Sequence, residues 1–453
     1  MKKVVSFIVC FLMIFTSTFM PALAVWEDVD IDVGIIDDTK EAEILVTDMS
    51  GKYKTQGRTT ISGGYLMIDH SASSFEFDAN CMGDVYVTFN PTYISSYDTN
   101  EKGCYFTVEV DGVKKSRDFL RLTKTEETKV KIAENLLAGK HSFKIYRQTE
   151  MERATVGIKS VTLKGSLLNA PENKKYYIEF VGDSITTAYG NLGYSGCTNP
   201  ALPFWQDATQ GYAFLTAEAL NVDYSLVAQQ GIGAYVGWQP HNMYEYYTRQ
   251  RYSKDTTTLY NFERKADVVV IALGANDMSR YADSGKTLAD VKNGFSDMFD
   301  LVKSKNPDAK IVWIYGMMPS SANAGETIKQ VIAEKGGEAG GYYTLQMQPN
   351  TSGGNGHPSA AAHKTFAETL TNFLKSKIFT TFTPGDVDNT GSVNLNDVTR
   401  LAQYVAKWDV AVVVAALDPD GSGSVNLNDV TRLAQKVARW DVTLSDKPYV
   451  PKN

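Results

Sequence analysis

The sequence predicts a multidomain protein. Its expected parts are an N-terminal β-sandwich of the jelly-roll kind, a central three-layer α/β domain on a parallel sheet, and a small C-terminal α-helical module with paired cation-binding loops. Three observations carry this. Short alternating apolar runs, divided by turn residues, fill residues 26–168. Apolar strands alternate with amphipathic helices over 174–379. Within 385–445 an eleven-residue segment occurs twice.

The bulk properties frame these parts. A chain of 453 residues is long enough for several cores. With 43% hydrophobic and 21% charged residues, its composition is that of a soluble globular protein. A net charge of −7 argues against nucleic acid, which is held mainly by basic patches. Lys2 and Lys3, an apolar run over 4–20 and the small-x-small site Ala22-Leu23-Ala24 read as an export signal, residues 1–24. The expected location is therefore extracellular. No later stretch has the ~18 apolar residues of a membrane span. Cys10 leaves with the signal, and Cys81, Cys104 and Cys197 remain. An odd number cannot pair fully within one chain. Buried free thiols and a Cys81–Cys104 bridge both stay open.

In the first part, the alternating runs include Phe75-Glu76-Phe77, Val85-Tyr86-Val87-Thr88-Phe89 and Tyr105-Phe106-Thr107-Val108-Glu109-Val110. Asp111-Gly112 marks a tight hairpin, because both residues tolerate positive φ. No catalytic constellation occurs there. In the second part, strands are predicted at 177–181, 224–228, 268–273, 311–315 and 343–347. Leu288, Val291, Phe295, Met298, Phe299 and Val302 recur at helical spacing between the third and fourth. Parallel sheets place their sites at the carboxyl ends of the strands.

Chemistry-bearing residues follow four of those strands. Gly182-Asp183-Ser184 comes after the first and offers Ser184 as an acyl-transfer nucleophile. Gln229-Gln230-Gly231-Ile232-Gly233 comes after the second. Gly231, with Gly233 as its rival, can bring a backbone N–H close to substrate. Gly274-Ala275-Asn276-Asp277 follows the third, and the Asn276 amide can donate to a developing oxyanion. His357, in Gly356-His357-Pro358 after the fifth, is the natural general base, and Ser359 reads as the N-cap of the next helix. His363 reads as structural. Trp205, Tyr235 and Trp238 could stack on a sugar ring or simply pack against neighbours.

These four blocks, in this order, resemble the SGNH (GDSL) hydrolase family. With a β-rich part in front, the layout is similar to carbohydrate esterase family 2, whose members deacetylate plant polysaccharides. The resemblance implies Ser184 as nucleophile, His357 as base, and the Ser184 N–H, the Gly231 N–H and Asn276 as oxyanion hole. The family commonly has an aspartate two or three residues before the histidine, whereas Asn355 and Gly354 stand there in this sequence. Asn355, a backbone carbonyl or a distant carboxylate remain as orienting groups, so a Ser–His dyad is expected.

The duplicated segment is VNLNDVTRLAQ, beginning at Val393 and again at Val425. Asp386, Asp388, Thr390, Ser392, Asn394 and Asp397 hold the ligand positions of a twelve-residue calcium loop, with Gly391 at its sharp turn. Asp418, Asp420, Ser422, Ser424, Asn426 and Asp429 repeat them around Gly423. Two calcium ions are expected there and no metal for the chemistry. The paired loops resemble type I dockerins of cellulosomal enzymes. That resemblance implies a cohesin partner on a scaffold, contacted at Leu395, Asn396, Leu427 and Asn428. Residues 380–384 read as a linker and 446–453 as a tail.

The expected function is therefore a secreted, cellulosome-associated esterase acting on acetylated plant polysaccharide of the xylan or mannan type. Another GDSL lipase or thioesterase, and a non-catalytic carbohydrate-binding module on an esterase fold, are the alternatives.

Overall fold

A computed structural model describes residues 41–95, 103–197, 199, 203–251, 258–379, 383–388, 390–449 and 451. The export segment 1–24, linker residues 380–382 and tail residues 450, 452 and 453 lie outside the described residues.

The N-terminal part is sheet-rich and antiparallel. Long strands Ser74–Ile94, Thr128–Arg147 and Ala154–Leu167 form its centre, and Cys104–Val110 pairs beside them. The described strands of this part join into one ten-stranded hydrogen-bonded network. The short runs at 75–77 and 85–89 belong to a single strand. Asn80–Asp84, which reads as a turn, is instead a bulged stretch with register shifts between Cys81 and Gly83 and between Gly83 and Val85. Such bulges bend a strand without ending it. The predicted hairpin at Asp111-Gly112 is present, with φ of 50° and 78° and Val110 opposite Val113. Cys81, Cys104 and Cys197 are buried free thiols.

The second part is a five-stranded parallel sheet. Its strands are β1 (Tyr177–Gly182), β2 (Asp223–Ala228), β3 (Val268–Ala272), β4 (Lys310–Tyr315) and β5 (Tyr342–Gln346), in the order β2-β1-β3-β4-β5. Ile178, Phe180, Val270 and Val312 face helices α1 (Tyr212–Leu220) and α4 (Ala360–Lys377). Val181, Val269, Ile271 and Trp313 face α2 (Leu288–Lys305) and α3 (Gly325–Glu334). Alternate side chains thus feed two cores and give three layers. Leu288, predicted on the buried face of α2, is half-exposed because it is the first helical residue, inside the Thr287–Asp290 capping box.

The third part holds α5 (Leu395–Val405) and α6 (Leu427–Val437), capped by Asn394 and Asn426, around a small core of Val387, Leu401, Leu417 and Leu433.

Buried charges join the sheet-rich part to the amino-terminal half of the parallel sheet. Arg58 donates to Glu179 on β1 at 3.0 Å, with both side chains almost fully buried. Its guanidinium also lies 4.3 Å from the Tyr260 ring and donates to the carbonyls of Tyr247 and Arg249. Lys54 pairs with Asp223 on β2 at 2.6 Å. Arg58→Ala leaves the Glu179 carboxylate buried without its cation. It should destabilise the fold by about 3–5 kcal/mol. Urea unfolding is the measurement, and a loss below ~1 kcal/mol would refute the account.

Candidate active site

Four loops converge at the carboxyl end of the parallel sheet. The first leaves β1 at Gly182-Asp183-Ser184. A side chain at Gly182 would place a Cβ 2.0 Å from Thr186 Oγ1, so the strand can turn this tightly only at glycine. Asp183 Oδ1 accepts from the Ile185 N–H at 3.0 Å, and the Ser184 carbonyl accepts from Tyr189 N–H and Thr187 Oγ1 at 2.9 and 3.0 Å. The nucleophile loop is thereby tied at both ends.

The histidine loop docks onto it. Gly354 N–H donates to the Gly190 carbonyl at 2.9 Å and Ala360 N–H to that of Asn191 at 2.7 Å. His357 Nε2 then lies 2.8 Å from Ser184 Oγ. Its Nδ1 lies 3.2 Å from the backbone carbonyl of Asn355. Asn355 is therefore the orienting residue, but through its main chain rather than its side chain. It adopts φ of 54°, a left-handed conformation that asparagine tolerates and that aims its carbonyl at the ring. Burial pushes the His357 pKa down, partly offset by the Asn355 and Gly354 carbonyls.

Gly231 and Asn276 complete the group. Ser184, Tyr189, Gln230, Gly231, Trp238, Gln239, Asn276, Asn355 and His357 line one cavity of about 280 Å³. Gly231 has φ of 75°, and a Cβ there would come within 3.2 Å of the Trp238 Cβ. Asn276, in the short helix Ala275–Arg280, has its Nδ2 2.9 Å from the Ile232 carbonyl and 3.3 Å from Asp183 Oδ2. The rival Gly233 is a conformational glycine, since a Cβ there would sit 1.9 Å from the Val236 carbonyl.

Of the three aromatic candidates, only Trp238 lines the cavity. It is 65% exposed, and the Arg280 guanidinium lies 4.3 Å from its ring. Tyr235 packs over Gly294 of α2. Trp205 sits edge-on to Tyr194 and Phe204. His363 is structural, as expected. It is buried, and its Nδ1 accepts from the Tyr212 N–H at 3.2 Å.

Several contributors escaped sequence reasoning. Asp277 is buried and accepts the N–H groups of Ala234, Tyr235 and Val236 at 2.8–3.0 Å, closing the glycine loop. Its place beside Asn276 was the one available signal. Glu150, Glu152 and Arg153 come from the sheet-rich part and bind Gln229 and Gln230, and nothing in their local sequence marks them.

In the third part, one carboxylate oxygen each from Asp386, Asp388 and Asp397 lies within 4.8 Å of the others, and Asp418, Asp420 and Asp429 repeat this. Thr390 and Ser422 bond within their loops, to Asp388 and to the Ser424 carbonyl. The side-chain oxygens of Asn394 and Asn426 cap α5 and α6. The carbonyls of Ser392 and Ser424 accept from those asparagines. Leu395 and Leu427 are 67% and 68% exposed, and Asn396 and Asn428 are exposed beside them.

A serine bonded to a main-chain-oriented histidine, beside a glycine turn and an asparagine amide, resembles the site of a GDSL-type hydrolase. Residues 180–365 match the GDSL-like Lipase/Acylhydrolase family. Along 55% of its length the chain is 32% identical to the cellulase/esterase CelE of Acetivibrio thermocellus, spanning 31% of that protein. It is 27% identical, over 54% of its length and 71% of the relative, to an acetylxylan esterase/glucomannan deacetylase of Cellvibrio japonicus. A family two carbohydrate esterase from Clostridium thermocellum, solved in complex with cellohexaose, superimposes with a TM-score of 0.63 at 25% identity, covering 72% of this chain and 99% of that one. The chain therefore resembles carbohydrate esterases of family 2 in both sequence and fold.

Because burial is the largest influence on His357, its imidazole should titrate below 6.5. It should thus be neutral, and able to accept a proton, throughout the neutral range. NMR titration of its ring resonances reads this directly, and a midpoint above 6.5 would contradict it.

Proposed function

We propose that this chain is a secreted carbohydrate esterase that removes O-acetyl groups from plant cell-wall polysaccharide, of the xylan or mannan type. The observation that carries the reading is the 2.8 Å Ser184–His357 pair, set in one cavity with Gly231 and Asn276. The similarity to acetylxylan esterases supports the substrate class. Ser184 attacks the acetyl carbonyl while His357 Nε2 takes its proton. The oxyanion is received by the N–H groups of Ser184 and Gly231 and by the Asn276 amide. His357 passes that proton to the sugar oxygen as its bond to the acetyl carbon breaks, so that the sugar leaves as a hydroxyl, and water, deprotonated by His357 in turn, then releases acetate from Ser184. A neutral carbonyl at Nδ1 fixes the tautomer but stabilises the imidazolium less than a carboxylate does. The cavity is small and edged by Gln230, Gln239 and Asn276, which suits an acetyl group better than a long acyl chain. Trp238 offers an exposed ring on which a sugar can stack.

The C-terminal module is the proposed anchor. Three carboxylates within 4.8 Å repel unless a cation neutralises them, and oxygen donors in a twelve-residue loop fit calcium. Asp386, Asp388 and Asp397 would hold one ion, and Asp418, Asp420 and Asp429 the other. The exposed Leu395-Asn396 and Leu427-Asn428 pairs would meet a cohesin domain of a scaffold, giving a cellulosome-associated enzyme.

One observation favours a binding role. A relative was solved with cellohexaose, a glucan that carries no acetyl ester. Acetate release from acetylated xylan and glucomannan separates the two readings. The full chain should release acetate. Ser184→Ala and His357→Ala should each lose about 10³-fold or more. Asn355→Gly keeps both the carbonyl and the left-handed conformation, so it should stay within about tenfold of the parent. A parent that releases nothing, yet binds polysaccharide, would establish the binding role instead.

Calorimetric titration of the calcium-stripped chain should count two calcium ions. Asp386→Ala and Asp418→Ala should each remove one. A stoichiometry unchanged in both variants would refute the assignment.

A further inference from the structure

The glycine loop that supplies an oxyanion donor is fastened from outside the α/β domain. The Gly231 N–H shares a planar trans peptide with the Gln230 carbonyl, so the two point in opposite directions. Whatever fixes that carbonyl also aims that N–H. The Gln230 carbonyl accepts from Gln239 Nε2 at 2.8 Å. Gln239 Nε2 donates in turn to Glu152 Oε1 at 3.3 Å. The same carboxylate accepts from Gln229 Nε2, and its other oxygen accepts from Gln230 Nε2 at 2.9 Å. Glu152 thus collects the side-chain amides of three residues that bracket Gly231. Two more contacts complete the hold on Gln230. Arg153 donates to its Oε1 at 3.0 Å, and Glu150 Oε2 accepts from its main-chain N–H at 3.3 Å.

We propose that Glu152, contributed by the sheet-rich N-terminal part, is a positioning residue for the oxyanion hole: through Gln239 and Gln230 it aims the Gly231 N–H at the reacting carbonyl. The proposal rests on the esterase reading above. It assigns the N-terminal part a role in the chemistry without any contact with substrate.

A donor that is misaimed weakens the transition state more than the ground state. The full-length Glu152→Ala variant should therefore lose about 10–100-fold in kcat on a small acetyl ester, with KM within about threefold of the parent. Glu152→Gln keeps one oxygen that can accept from Gln239, and it should recover most of that loss. A purely structural role would move stability but not this split between kcat and KM. Amide hydrogen exchange gives a readout independent of turnover. Exchange at residues 229–239 should rise at least about tenfold in Glu152→Ala, while α1 is unchanged. A kcat within twofold of the parent, or a loss carried by KM, would overturn the proposal. So would unchanged exchange at 229–239, whatever the activity. If the parent hydrolyses no ester yet exchange rises in the variant, the tether stands and the esterase reading falls.

Discussion

The arrangement depends on one buried cation. Arg147 closes the turn between the two long strands Thr128–Arg147 and Ala154–Leu167, and its side chain is fully buried. It donates to the carbonyls of Thr149, Ile68, Glu150 and Ala154 at 2.6–3.1 Å. A fork of fixed N–H donors can satisfy several carbonyls that would otherwise be stranded away from water. The turn can therefore be buried rather than exposed. Once buried, it carries Glu150, Glu152 and Arg153 into the catalytic loops. It reaches the nucleophile side as well. Glu150 N–H donates to Gln206 Oε1 at 3.3 Å, and Gln206 Nε2 donates to the Thr187 carbonyl at 3.0 Å. The spacing between the serine loop and the glycine loop is thus set partly by a turn in another part of the chain.

The dyad follows from how the histidine loop is docked. Gly190 and Gly193 let Gly354 approach the nucleophile loop, where a Cβ at either position would lie within about 3.0 Å of Gly354 atoms. That close fit leaves the Asn355 carbonyl facing Nδ1 at 3.2 Å. The His357–Ser184 bond then needs no acidic third member to hold its geometry. What is given up is charge stabilisation of the imidazolium, and burial works in the same direction by favouring the neutral ring.

Much of this was legible in the sequence, and the reasons differ by element. The parallel strands were placed within a residue at each end, because strands covered on both faces are continuous apolar runs. Ser184, Gly231 and Asn276 were legible because each lies within four residues of a strand's carboxyl end, and His357 because it falls in the loop between the last strand and the helix capped by Ser359. The identity of the orienting group was not, since a main-chain carbonyl has no residue-type signature. The sequence left Asn355, a backbone carbonyl and a distant carboxylate open, and the group that faces Nδ1 is the Asn355 carbonyl. The bulge near Gly83 hid a single long strand behind what reads as a turn. Glu150 and Glu152 were illegible for a deeper reason: about eighty residues separate them from the glutamines they hold, and no local periodicity records that contact. Trp205 and Tyr235 resembled Trp238 as candidates, and only tertiary packing separates a ring at the cavity from rings against a core.

The site must also solve an electrostatic problem. Acyl transfer builds negative charge on an oxygen, yet Asp183, Asp277, Glu150 and Glu152 all lie among the loops that receive it. Like charges in a poorly solvated setting repel strongly. The structure disposes of each carboxylate separately. Asp277 is turned to three main-chain N–H groups, which absorb its charge in closing the glycine loop. Glu152 is covered by three side-chain amides. Asp183 is pushed up to about 7, chiefly by burial, so that near neutral pH it carries only part of its charge. Burial pushes the Glu150 carboxyl up as well, and Arg153 stands 2.8 Å from it as a counter-charge. Every acid near the oxyanion is thus neutralised, partly protonated or tied to a donor that shapes a loop. The groups that threaten the transition state are the same groups that hold its donors in place.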